Sequence, residues 1–134
     1  PVLAEQAQTK FNEAESVWRQ AKAALADAES QRSRIVDMLM EYRLKLTQFE
    51  RQSNLSDSVN CRQFLAQLVD LDVQAQLQVQ KMQAAARVKA ARFDLDKMKK
   101  LVEREQKQHQ RQAAQSAQRR MDEMATLRHS YKHA

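Results

Sequence analysis

Glycine is absent from this chain of 134 residues, and proline occurs once, at position 1. Without glycine, the chain cannot build the Gly-rich loop that cradles phosphate groups or the fingerprint that binds dinucleotides. The single cysteine cannot form an internal disulfide, which fits a reducing compartment. No apolar run approaches the ~20 residues needed to cross a bilayer. The opening "PVLAEQAQTKF" also lacks the charged start and apolar core of a secretion signal.

The composition that remains is typical of long helices. Aromatic residues make up 5% of the chain, and alanine, glutamine, leucine and charged residues dominate. Steps of three and four residues along the first part of the chain give 14 positions, of which 13 are apolar. Such a seam, sustained over six heptads, requires a partner helix. The seam consists of Ala4, Ala7, Phe11, Ala14, Trp18, Ala21, Leu25, Ala28, Arg32, Ile35, Leu39, Tyr42, Leu46 and Phe49.

A similar apolar stripe follows the polar stretch "RQSNLSDSVNC", residues 51–61. It runs from Phe64 through Leu68 and Leu71 to Phe93, and a short stripe restarts near Met121 after a polar interval. No breaker interrupts residues 61–134, so the pattern predicts one second helix. A helix of about 70 residues is ~105 Å long at ~1.5 Å per residue.

The sequence therefore predicts an all-α fold, a long antiparallel two-helix coiled-coil hairpin that forms one domain over residues 1–134. We expect helix one at about 2–51, the turn at about 52–59 and helix two at about 60–131. Serine, asparagine and aspartate favour turns and caps, so Ser58, or Asn60 with Gln63, is expected to cap helix two. A turn centred near residue 57 places residue i opposite about 114 − i and leaves about twenty C-terminal residues unpaired.

Positive charge is concentrated in the last part of the chain. Residues 1–80 carry nine Lys/Arg and eleven Asp/Glu, a net charge of −2, whereas residues 81–134 carry fourteen and six, a net charge of +8. This pattern indicates either a solvated helix face or a surface that binds an acidic partner. Nucleic acid is disfavoured because no aromatic residue interleaves the Lys/Arg run at 97–111 to stack on bases.

No constellation in the sequence indicates catalysis. His109 is isolated, while His129 and His133 have the i, i+4 spacing of a two-point metal site but no third ligand nearby. Cys61 has no histidine near it in sequence, and a two-helix hairpin offers no enclosed pocket. We therefore predict a protein that is not an enzyme, with no cofactor and no metal site.

Both helices carry more apolar residues near the turn than one seam can bury. Val36, Met40 and Leu44 form a second stripe on helix one. Helix two has its own second stripe, which consists of Leu65, Val69, Val73 and Leu77. Surplus apolar stripes on a thin hairpin indicate a partner or self-association surface. The alternative is a local shift of the supercoil.

Three segments together resemble the FliJ family of the flagellar type III export apparatus. "KKLVEREQKQHQRQAAQSAQRRMDEMA" (99–125) has the family's basic, leucine-containing helix, with Arg104 seventeen residues before Met121. "MEYRLKL" (40–46) is similar to the segment before the family's turn, and "FLAQL" (64–68) is similar to the segment after it.

The resemblance implies an antiparallel two-helix coiled coil similar to the stalk of rotary ATPases. In the family, the end that carries the chain termini inserts into the hexameric export ATPase. The opposite part contacts the cytoplasmic linker of the export gate membrane protein, and family members also escort export chaperones. The resemblance thus implies a cytoplasmic protein, peripheral to the inner membrane, that takes part in protein export without spanning the bilayer.

The positions of the family's two contact patterns follow from the same resemblance, although four residues of the gate pattern, Ile35, Met38, Leu71 and Ala75, differ from those of the family. The implied contact with the export gate consists of Gln31, Ile35, Met38, Tyr42, Phe64, Leu68, Leu71 and Ala75. The implied contact with the ATPase consists of Leu101, Arg104, Arg119, Arg120, Asp122 and Glu123. The alternatives are the ATPase stalk of a virulence (injectisome) type III system and a generic coiled-coil scaffold or nucleic-acid-associated protein.

Overall fold

The structure, a computed structural model, describes residues 2–133 apart from the side chains of Ala4 and His133. Within these residues the chain forms two helices, α1 Val2–Arg51 and α2 Leu55–His133, and no strand. Aromatic rings meet across the two helices in antiparallel order, so the predicted all-α helical hairpin is confirmed. Neither helix has a stretch apolar and long enough to cross a membrane, within the described residues.

The chain divides into two compact units. One unit is Asn12–Phe93, which contains the turn between the helices. The other combines Pro1–Phe11 with Asp94–Ala134. We call them the turn unit and the terminal unit.

The turn is shorter than the sequence predicts, and α2 begins earlier. α1 ends at Arg51 as expected, but α2 begins at Leu55, so only residues 52–54 connect the helices. The predicted start at residue 60 is therefore wrong, and Ser58 and Asn60 lie inside α2. Several residues of this stretch can cap a helix, and the earliest suitable one is used, which keeps more backbone hydrogen bonds within α2.

Asn54 is the residue that caps α2. Its Oδ1 accepts a hydrogen bond from the backbone N–H of Asp57 at 3.2 Å, and its Nδ2 donates to the Asp57 carboxylate at 2.6 Å. The Asn54 carbonyl oxygen accepts from both the backbone N–H (3.0 Å) and the hydroxyl (2.7 Å) of Ser58. These bonds satisfy donors that a helix N-terminus otherwise leaves without a partner.

Ser53 ends α1 in the left-handed backbone region, with φ of 57°. Its N–H donates to the carbonyl of Glu50 at 3.2 Å, and the Asn54 N–H donates to the carbonyl of Phe49 at 3.0 Å. This is a Schellman motif, whose left-handed position is usually glycine because a Cβ atom is unfavourable there. Since the chain has no glycine, the turn carries backbone strain at Ser53.

The turn unit is held together by the predicted seam of α1. Every seam position from Ala14 to Phe49 is buried or half-buried. Trp18 stacks on Phe93 with ring centroids 5.1 Å apart, and Tyr42 packs against Phe64 at 4.5 Å. The predicted pairing of i with about 114 − i is wrong, because it places residue 72, not Phe64, opposite Tyr42. The error follows from the position assumed for the turn.

One ion pair lies within the apolar seam. Arg32, the polar exception among the predicted seam positions, has its Nε 3.6 Å from Oδ1 of Asp72. These two atoms are buried and make no hydrogen bond, although the side chains of Arg32 and Asp72 as a whole are 37% and 25% exposed. Asp72 thus takes the seam position that the sequence assigned to Leu71, and Leu71 is 47% exposed.

In the terminal unit, few side chains are covered. Lys100 places its Nζ 4.5 Å from the centroid of the Phe11 ring. Leu3 lines a shallow cavity of about 230 Å³ with Glu103, Gln106, Lys107 and Gln110. From residue 101 to 132 every side chain is exposed, including the stripe that begins at Met121. Ala4, the first predicted seam residue, lies outside the described side chains.

We expect Ser53→Gly to stabilise the protein, because glycine adopts the left-handed conformation without a Cβ clash. The gain should be about 0.5–1 kcal/mol, seen as a rise of a few degrees in Tm by circular dichroism. Ser56→Gly is the matched control: Ser56 is exposed and helical, so this change should lower Tm. Equal effects of the two variants would contradict strain at Ser53.

Candidate functional site

The residues implied to contact the export gate lie along one side of the turn unit. Each helical residue advances by about 100°, and steps of three and four from the Tyr42–Phe64 contact keep to one edge of the seam. The same steps pair Met38 with Leu68, Ile35 with Leu71 and Gln31 with Ala75. We call this side the Met38 flank; it consists of Gln31, Ile35, Met38, Tyr42, Phe64, Leu68, Leu71 and Ala75.

Burial separates the Met38 flank into surface and core. Gln31, Met38 and Leu71 are exposed, the last two by 38% and 47%. Leu68 is 2% exposed, so its side chain packs in the seam and does not reach a partner in this fold. The remaining members, which are Ile35, Tyr42, Phe64 and Ala75, are half-buried and present only an edge.

A cavity of about 330 Å³ opens beside the aromatic end of the Met38 flank. The rings of Tyr42, Phe49 and Phe64 and the side chain of Cys61 line it. Its charged and polar lining comes from Lys45, Asp57 and Asn60. Lys45 places its Nζ 4.6 Å from the Tyr42 ring centroid and 3.2 Å from the carboxylate of Glu41. Such a concavity can accept an apolar side chain from a partner. The sequence offered one signal for it, aromatics at heptad spacing beside the turn.

The surplus stripes predicted on both helices lie on the other side of the seam. On each helix, the second stripe is displaced from the seam by the same direction of rotation about the helix axis. Because the helices are antiparallel, the two stripes therefore lie on the same side of the hairpin. We call this side the Met40 flank; it consists of Val36, Met40, Leu44, Leu65, Val69 and Val73. Met40 is 60% exposed and Leu44 69%. Leu77 is also exposed but lies further round α2. The turn unit therefore has two apolar flanks.

The residues implied to contact the ATPase lie within the terminal unit, and all are exposed. At about 100° per residue, Leu101, Arg104 and Arg119 fall close together on one face of α2. Asp122 shares that face and accepts a hydrogen bond from Gln118 Nε2 at 3.1 Å. Glu123 lies at its margin, whereas Arg120 lies about 160° round α2 from Arg104. We call the six implied residues together the basic face; they are Leu101, Arg104, Arg119, Arg120, Asp122 and Glu123.

The cysteine and the described histidine side chains lie in different parts of the chain. Cys61 is buried, and its thiol donates to the carbonyl of Tyr42 at 3.3 Å. His109 and His129 are exposed, and the side chain of His133 lies outside the described residues. Among the described residues, no group of three or more His, Cys, Asp or Glu side chains could hold a metal ion.

No family model, curated protein or solved structure matches this chain. The functional interpretation therefore depends on the chemistry and the placement of the residues themselves. That placement gives three surfaces: two apolar flanks in the turn unit and one basic face in the terminal unit.

Leu68 and Leu71 provide a test of the boundary between seam and flank. Leu68→Ala should lower the free energy of unfolding by about 3 kcal/mol, because it leaves a cavity in the seam. Leu71→Ala removes the same atoms from a side chain that is 47% exposed and should cost less than about 1 kcal/mol. Urea unfolding followed by circular dichroism measures both. A larger loss for Leu71→Ala would show that the seam runs through Leu71 instead.

Proposed function

We propose that this chain is a non-enzymatic component of a flagellar-type type III protein export apparatus. It acts as a stalk in the hexameric export ATPase and promotes the assembly or activity of that ATPase. It also contacts the cytoplasmic linker of the export gate membrane protein and escorts export chaperones. In this role it works in the cytoplasm, peripheral to the inner membrane, and needs no cofactor.

The observation that carries the proposal is the arrangement of the eight residues of the Met38 flank. They come from two sequence segments on different helices, yet the register set by Tyr42 and Phe64 places them as facing pairs along one edge of the seam. Their spacing of three and four residues keeps each set on one face of its helix, and the Tyr42–Phe64 contact brings the two faces to the same edge. The exposed members, Gln31, Met38 and Leu71, provide the polar and apolar groups a protein partner can bind.

The basic face supports the ATPase part of the proposal. Arg104, Arg119 and Arg120 are exposed, and no ion pair is seen for them in the described part of the chain. Exposed arginines without an ion-pair partner can be attracted to a ring-shaped ATPase hexamer whose inner surface carries acidic groups.

The effect on ATP hydrolysis tests the stalk function. Adding the intact chain to the export ATPase should raise the hydrolysis rate, and the gain should shrink as ionic strength rises. The triple variant with Arg104, Arg119 and Arg120 changed to Glu should lose most of the gain. The control changes Arg34, Arg43 and Arg87 to Glu; these are exposed residues of the turn unit, and their reversal alters the net charge equally.

The control variant should stimulate the ATPase nearly as well as the intact chain. If both variants lose the gain equally, net charge rather than the basic face is responsible. If the intact chain gives no stimulation, the chain is a generic coiled-coil scaffold and not a stalk.

Binding to the export-gate linker tests the Met38 flank. Met38→Asp combined with Leu71→Asp places two carboxylates on the exposed part of this flank and should raise Kd at least about tenfold, or about 1.4 kcal/mol. Met40→Asp with Val69→Asp makes the same chemical change on the Met40 flank and should leave Kd within about twofold. Isothermal titration calorimetry measures Kd, and circular dichroism checks that both variants remain helical. The reverse pattern would assign the contact to the Met40 flank.

A further inference from the structure

The seam of the turn unit is compatible with a second register. In the observed register, matched steps of three and four from the Tyr42–Phe64 contact place Ala21 opposite residues 85–86, and Ala21 and Ala86 are 7% and 8% exposed. Sliding α2 by one heptad relative to α1 would place Leu71 near Tyr42 and Phe93 opposite Ala21. Apolar residues again meet apolar residues at these positions, because both helices repeat every seven residues.

The stretch that joins the helices can also form its turn in two places. The observed turn uses residues 52–54 and requires Ser53 in the left-handed region. If α1 extended by about one turn and α2 began near Asn60, the turn would lie near Asp57 and Ser53 would become helical. Ser58 and Asn60 are able to cap that later start, although in the observed structure they lie inside α2. The number of helical residues changes little between the two arrangements.

The Arg32–Asp72 ion pair distinguishes the two registers. A slide of one heptad moves the helices past each other by ~10 Å, at ~1.5 Å per residue, and separates these side chains. Arg32 then lies opposite Met82, and Asp72 approaches the Tyr42 ring, where the nearby cation, Lys45, is already paired with Glu41. A charge at a partly buried seam position is destabilised when it loses its partner, and a polar pair at a seam position is a known means of fixing register.

Other contacts also favour the observed register. The stack of Trp18 on Phe93 and the packing of Tyr42 on Phe64 exist only there. In the opposite direction, the second register moves Leu71, now 47% exposed, to the half-buried position that Phe64 occupies, and it relieves the strain at Ser53. The aromatic contacts and the ion pair stabilise the observed register, whereas Leu71 and Ser53 favour the second. The second register is therefore a minor state whose population depends on a few side chains.

We propose that this hairpin has two registers one heptad apart, and that the Arg32–Asp72 ion pair together with the position of the turn selects between them. The inference rests on the seam and the turn, and it does not require the proposed export function. It has a consequence for any partner of the Met38 flank. Met38 faces Leu68 in one register and a position near Ala75 in the other, so such a partner distinguishes the registers.

Disulfide formation between paired cysteines tests this proposal. All variants carry Cys61→Ser so that no native thiol interferes. Ala21→Cys with Ala86→Cys reports the observed register, and Ala28→Cys with Ala86→Cys reports the second register, because Ala28 then takes the place opposite residue 86. Oxidised monomers are separated from cross-linked dimers by electrophoresis, and the rate of disulfide formation within a monomer is measured for each pair.

With Arg32 and Asp72 intact, the 21–86 pair should close rapidly and the 28–86 pair slowly. Arg32→Leu with Asp72→Leu makes both registers fully apolar and should speed closure of the 28–86 pair by about fivefold or more, the effect of ~1 kcal/mol. Ser53→Val disfavours the left-handed backbone conformation at position 53 and should also speed closure of the 28–86 pair. Ser53→Gly relaxes that turn and should slow closure of the 28–86 pair.

Circular dichroism establishes that each variant is folded, and the turn variants leave the seam intact. The proposal is overturned if the 28–86 pair closes at the same slow rate in the Arg32/Asp72 and Ser53→Val variants while the 21–86 pair still closes rapidly. That result would mean that the seam has one register, whatever the ion pair and the turn contain.

Discussion

The register between α1 and α2 is the constraint on which the rest of the turn unit depends. A helix in a two-helix hairpin has one neighbour, so only one stripe of each helix can be buried. The contact between Tyr42 and Phe64 fixes which stripe that is. It follows that Leu68 is core at 2% exposure whereas Leu71, three residues on, belongs to a flank.

The seam of α1 could be predicted from the sequence because heptad spacing is a local property that survives folding. Every predicted position from Ala14 to Phe49 is covered in the structure. The turn could not be predicted to the residue, since Asn54, Ser58 and Asn60 are all suitable caps. The choice among them depends on how the seams match over many residues, which is not a local property. For the same reason the partner of Tyr42 was predicted wrongly.

The candidate site was predictable to a similar extent. The sequence identified the helix segments that carry the Met38 flank, but it could not separate Leu68, which is buried, from the exposed Met38. That distinction requires the angle at which the second helix meets the first. Asp72 was missed because an aspartate beside Leu71 resembles a surface residue. Arg32 was the available signal, since a cation within an apolar seam requires an acidic partner across it.

The Met38 flank shares residues with the seam, and this links binding to conformation. Tyr42 and Phe64 are half-buried, so a partner that touches their edges also touches the contact that defines the register. A partner shifts an equilibrium between two states only by the difference in its affinity for them. Because the Met38–Leu68 pairing exists in one register alone, a partner that binds this flank tightly has a different affinity for each register. The link is weaker for the most exposed residues of the Met40 flank, Met40 and Leu44, because a side chain that is 60% or 69% exposed makes fewer contacts with the seam.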